Sequence, residues 1–173
     1  MVELIGCREH TNLFKILINV SLRRAASEME ITQTIQETEE EIVDEFSLFD
    51  NWEDKYEYII DLGKKLQPLE ARFKVDENKI KGCQSQVWLI ADEVDGRIFF
   101  KADSDAVIVR GLVSMLIRVL SGHTPDEILN AKLDFINKIG MTTHLAQTRS
   151  NGLLSMVKQM KNYALAYKAK AQL

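Results

Sequence analysis

The residue best suited to chemistry is Cys83, in the run Gly82-Cys83-Gln84-Ser85-Gln86. It lies between a polar stretch and a strand-like apolar run. Gly82 frees the backbone to turn, so the thiol can sit at a loop tip instead of in the core. Sulfur exchange needs a thiolate and a path to a second sulfur, and both favour exposure. On local sequence alone the alternative stays open that Cys83 is a small buried hydrophobe, as many free cysteines are. The second cysteine, Cys7, sits in a poorly patterned terminus and reads as inert.

Other chemistries for the thiol are less well supplied. A hydrolytic cysteine needs a histidine base and a group to orient it. The candidates are His10, His123 and His144. His10 belongs to the terminus. His123 follows Gly122 in a helix–helix turn and reads as a solvated turn or C-cap residue. His144 stands just before the last helix, with structural and functional roles evenly balanced. No C-x-x-C or H-x-x-x-H spacing occurs, so neither a metal site nor a four-thiolate cluster is expected. No glycine-rich phosphate loop occurs either, so no nucleotide cofactor is expected. With two cysteines there is no disulfide framework, which points to a reducing, intracellular setting.

The elements around Cys83 must come from one domain of ordinary size, since the chain has 173 residues. Hydrophobic residues at 46% suffice for a core, and charged residues at 28% for a soluble surface. The formal charge of −4 argues against a nucleic-acid partner. Ile31, Ile35, Ile42, Phe46 and Phe49 mark one face of a helix whose polar side is acidic. Trp52, Tyr56, Ile59, Ile60, Gly63 and Leu66 mark a second, capped by Asp50 or Asn51 and stopped at Gln67-Pro68. Residues 74–81 read as a loop. Two strands, 86–94 and 97–102, flank Asp95-Gly96, a pair suited to a type I′ hairpin turn.

Residues 107–120 are apolar nearly all round, which predicts a central buried helix. Thr124 and Pro125 open the next helix, a short segment spans 135–139, and a final helix runs from about Thr148 to Ala171. The result is an α+β domain. Asp103 and Asp105 read as caps of the central helix. No apolar run is long enough for a membrane span. Residues 1–30 read as an N-terminal extension, disordered or preceding a start at Met29, with 31–173 as the domain; the acids Glu3 and Glu9 weaken a transit peptide.

The run Ile80-Lys81-Gly82-Cys83-Gln84-Ser85-Gln86-Val87-Trp88 closely resembles the cysteine loop of the SufE family. Four further blocks agree in order: Trp52 to Tyr56 with Ile59 to Gly63, Asp103 to Ala106 with Ile108 to Leu112, Thr124 to Ile128, and Arg149 to Leu153. The resemblance implies helices packed on a small curved antiparallel sheet, a SufE/IscU-like fold. It implies that Cys83 takes persulfide sulfur from a SufS-type cysteine desulfurase, stimulates that enzyme, and passes sulfur to a SufB-containing scaffold complex in the cytoplasm. On this resemblance the chain is a carrier and activator, not an enzyme alone. Pyridoxal phosphate belongs to the partner, and the carrier is a monomer or homodimer. Gly82, Gln84, Gln86, Asp105, His144 and Arg149 are the residues expected to support or tune the thiol, with Lys81 a further cation to weigh. Three rivals remain: a CsdE-like adaptor with another acceptor, an independent cysteine enzyme, and a regulatory partner with an inert Cys83.

Overall fold

A computed structural model describes residues 33–171. The expected extension over residues 1–30, with Cys7 and His10, lies outside the described residues, as does Ile31. Helix α1 spans Ile35–Ser47 and begins on a capping box: Thr34 Oγ1 accepts the Glu37 N–H at 3.2 Å, and Glu37 Oε2 accepts the Thr34 N–H at 2.7 Å. Its apolar stripe buries Ile42 and Phe46. Helix α2, Trp52–Lys65, starts on Asn51, whose Oδ1 accepts the Asp54 N–H at 2.9 Å.

Strands β1 (Val87–Val94) and β2 (Arg97–Ser104) pair antiparallel, from Val94 opposite Arg97 to Val87 opposite Ser104. At their turn Asp95 has φ 51° and Gly96 φ 76°, the two positive values that a type I′ turn requires. Helix α3, Val107–Leu120, is the centre of the core, with Leu112, Val113, Leu116, Val119 and Leu120 all buried. It crosses α2 at close range. A Cβ on Gly111 would stand 2.0 Å from the Ile59 carbonyl oxygen, so no larger residue fits there without parting the helices.

Short helices α4 (Pro125–Asn130), α5 (Phe135–Lys138) and α6 (Met141–His144) lead to α7, Gln147–Lys170. Helix α7 buries Leu153, Met156, Met160 and Ala164, while Val157 is half-buried. Two tyrosines tie it to the outer edge of β1: Tyr163 Oη donates to the Leu89 carbonyl at 3.1 Å and Tyr167 Oη to that of Ala91 at 2.7 Å. Strand carbonyls that would otherwise face solvent are thereby satisfied.

The α+β expectation holds, with a sheet of two strands among the described residues. The stretch 74–81 is more ordered than a plain loop, carrying a 3₁₀ turn at Asp76–Asn78 and a bridge between Lys79 and Trp88. His123 is a correction. Instead of a solvated turn residue it is 4% exposed. Its turn extends the β2 edge: the Ile98 N–H donates to the His123 carbonyl at 2.9 Å and the Gly122 N–H to the Ile98 carbonyl at 2.6 Å. Burial holds the imidazole below its usual pKa, outweighing the pull of Glu127. No helix among the described residues is long and apolar enough to cross a membrane.

Candidate functional site

The loop that carries Cys83 is pinned at both ends. On one side the Ile80 N–H donates to the Val87 carbonyl at 2.8 Å. On the other, the backbone of Gln86 is clamped by the segment after β2. Asp105 Oδ1 accepts the Gln86 N–H at 3.0 Å, Ser104 Oγ donates to the Gln86 carbonyl at 2.7 Å, and the Asp105 N–H reaches that carbonyl at 3.3 Å. Residues 81–85 therefore project as a short flap from a fixed base.

The flap folds back against the molecule. Cys83 is half-buried, and its thiol donates to the Gly152 carbonyl of α7 at 3.5 Å. Beside it lies a cavity of about 100 Å³, lined on the apolar side by Ala106, Ile108, Val109, Leu112 and Met156. Burial pushes the Cys83 thiol above its ordinary pKa, because a thiolate loses solvation in that setting. Two features of the cavity wall are electropositive. The first turns of α3 and α7 both line it and neither helix has a side-chain cap, so the positive ends of two helix dipoles converge there. Arg149 is the one charged residue in the lining, and its guanidinium makes no ion pair among the described residues.

The expected supporting residues separate into groups. Gln84 and Arg149 line the cavity with Cys83. Gln86 and Asp105 belong to the clamp, and Gln86 acts through its backbone. Gly82 holds φ 90°, where an L side chain is strained. Lys81 is exposed and outside the cavity lining. His144 is carried elsewhere: its ring stacks on Trp52 with centroids 4.2 Å apart, its carbonyl accepts from Tyr56 Oη at 3.0 Å, and it is not among the cavity residues.

The capping role read for Asp103 and Asp105 is overturned. The α3 N-cap is Ala106 and has no side-chain hydrogen bond. Asp105 is spent on Gln86. Asp103 is 2% exposed and sits in an ion cluster, with Lys74 Nζ at 2.7 Å and Arg110 Nε at 3.4 Å. It also accepts the backbone N–H of Leu69 at 3.1 Å and of Ser104 at 2.8 Å. Burial alone would raise its pKa; the bonds from Lys74, Leu69 and Ser104, with the charge of Arg110, together hold the carboxyl below the usual range. Ser104 and Gly152 fall inside two of the matching sequence blocks, but their contacts to the loop are tertiary. Their importance comes from chain segments about 20 and 70 residues away packing on the loop, for which local sequence holds no signal. Among the described residues no cluster of His, Cys, Asp and Glu could hold a metal ion.

Comparison with known proteins follows the same lines. Residues 40–164 match the family model described as SufE, Fe-S metabolism associated domain. An uncharacterized SufE-like protein of Rhizobium meliloti is 42% identical over 130 residues, covering 72% of this chain and 93% of its own. An uncharacterized SufE-like protein of Synechocystis is 40% identical over 126 residues, covering 73% of this chain and 79% of its own. SufE-like protein 1, chloroplastic/mitochondrial, of Arabidopsis thaliana is 41% identical over 135 residues, 77% of this chain but 36% of that longer protein. A solution structure of a hypothetical protein from Thermus thermophilus superposes with a TM-score of 0.62 at 16% identity, over 75% of this chain and 94% of that one. It shares the fold.

Proposed function

Since the chain belongs to the SufE family, a family of iron–sulfur metabolism, we propose that Cys83 is a sulfur acceptor working between a SufS-type cysteine desulfurase and a SufB-containing scaffold complex. The observation that carries the proposal is the flap itself. It holds a thiol at its tip, has a fixed base, and faces a cavity walled by two helix N-termini and Arg149.

In the first step the Cys83 thiolate attacks the outer sulfur of the persulfide on the desulfurase. A new sulfur–sulfur bond forms on Cys83, the donor's sulfur–sulfur bond breaks, and the donor cysteine leaves as a thiolate. In the second step an acceptor thiolate attacks the terminal sulfur and Cys83 departs as a thiolate. No external oxidant or reductant is consumed. Pyridoxal phosphate serves the desulfurase alone, and the chain is a carrier and activator in the cytoplasm with no small-molecule substrate of its own.

The resting geometry favours storage over reaction. A tucked thiol with a raised pKa reacts slowly with stray partners, so delivery requires the flap to lift onto the desulfurase. Arg149 and the helix ends support the anionic persulfide while the flap is seated, and lifting hands it to the partner. The test is intact mass after incubation with a cysteine desulfurase and free cysteine. One added sulfur atom that disappears in Cys83→Ser is expected; no adduct and no stimulation of the desulfurase would sink the proposal.

A further inference from the structure

We infer that Ser155, in the third turn of α7, is a positioning residue that sets how deeply the Cys83 flap is seated; the inference deepens the sulfur-acceptor reading and rests on it. The base of the flap is held by four backbone and side-chain hydrogen bonds, at Ile80 and at Gln86. The tip is held far more lightly. Among the described residues, the thiol's contact to the Gly152 carbonyl is the side-chain hydrogen bond that residues 81–85 make, and a thiol is a weak donor.

What remains is the fit of the tip against α7. A Cβ at Gly82 would stand 2.8 Å from Ser155 Oγ and 3.7 Å from Ser155 Cβ. A Cβ at Gly152 would stand 3.6 Å from Cys83 Sγ. Positions 152 and 155 are three apart and share one helix face, so the seat consists of two small residues under the two tip residues. The Ser155 hydroxyl is turned back to donate to the Asn151 carbonyl at 3.0 Å, which fixes the surface that Gly82 meets. Helix α7 is held to the core by buried side chains and to β1 by two tyrosine bonds, whereas the tip touches the core through half-buried Cys83. A larger side chain at 155 therefore lifts Gly82 and draws Cys83 away from the cavity, leaving the loop sequence and its base untouched.

The test is the rate of alkylation of Cys83 by iodoacetamide across pH, in the full chain carrying Cys7→Ser so that one thiol reports. Ser155→Leu is expected to react about tenfold faster at neutral pH, the gain in thiolate that a one-unit fall in the thiol pKa gives, with the pH–rate midpoint moved downward. Ser155→Ala, which keeps the seat small, stays within about twofold of the parent. Leu154→Ala, at an exposed neighbouring position on the same helix, leaves rate and midpoint unchanged. If Ser155→Leu does not fold by circular dichroism, Ser155→Val is judged by the same criteria. A folded Ser155→Leu with the parent's rate and midpoint would overturn the inference, and so would an equal acceleration in Leu154→Ala. No desulfurase takes part, so failure here leaves the persulfide adduct as a separate test of sulfur transfer.

Discussion

The two connections that flank β1 each use a glycine with positive φ, Gly82 at 90° before the strand and Gly96 at 76° after it. They are otherwise opposites. A Cβ on Gly96 would meet nothing within 4 Å, and the Asp95-Gly96 turn needs only its own dihedrals to join two paired strands. A Cβ on Gly82 would meet Ser155, and the loop around it owes its shape to β2, to the start of α3 and to α7. The hairpin is a local structure. The cysteine loop is a tertiary one, and its contacts are divided between a firm base and a weakly held tip. Such a division lets the tip open without unfolding the base or the core.

The largest effect should come from removing the buried carboxylate at the end of β2, next to the clamp. Asp103→Ala leaves Lys74 and Arg110 without the buried carboxylate between them, and breaking such a pair costs about 3 kcal/mol, read from the urea midpoint. The acid limb has a defined sign. The Asp103 pKa is lowered in the folded protein, so its contribution is full above the unfolded carboxyl value and is lost as pH falls through the lower folded value. Asp103→Asn should lack that part of the acid loss.

A smaller effect distinguishes the two glycines. Gly82→Ala combines an unfavourable φ with the contact to Ser155; a cost of about 2 kcal/mol is expected, with faster alkylation of Cys83. Asp105→Ala removes one strut of the clamp and should cost about 1 kcal/mol while raising the alkylation rate a few-fold. Gly96→Ala should also cost about 1 kcal/mol, from φ alone, but leave alkylation at the parent rate. If Gly96→Ala accelerated alkylation as much as Gly82→Ala does, the contrast between the two connections would fail.

The same contrast explains how much was legible in the sequence. The hairpin, the Thr124 cap and the buried α3 follow from short-range rules: Asp95-Gly96 dictates its turn, Thr124 and Pro125 open their helix, and unbroken apolarity over 107–120 dictates burial. The Thr34–Glu37 capping box that starts α1, by contrast, is not marked by the apolar stripe from Ile31. Cys83 was legible from its glycine and from the SufE-like motif around it. Its seat was not. Asp103 looked like a cap because an acid just before a helix usually is one, and only the fold brings Lys74 and Arg110 onto it. His123 looked solvated because it follows a glycine, yet the Ile98 edge of β2 draws its turn into the sheet. Arg149 lines the same cavity as Cys83, whereas His144, close to it in sequence, is turned onto Trp52.

The most direct measurement of the central claim is the intact mass of the full chain after incubation with a cysteine desulfurase and free cysteine, beside Cys83→Ser. A single added sulfur in the parent, removed by reductant and absent from Cys83→Ser, is the predicted result. An unchanged parent mass, or an adduct that survives in Cys83→Ser, would contradict Cys83 as the sulfur acceptor.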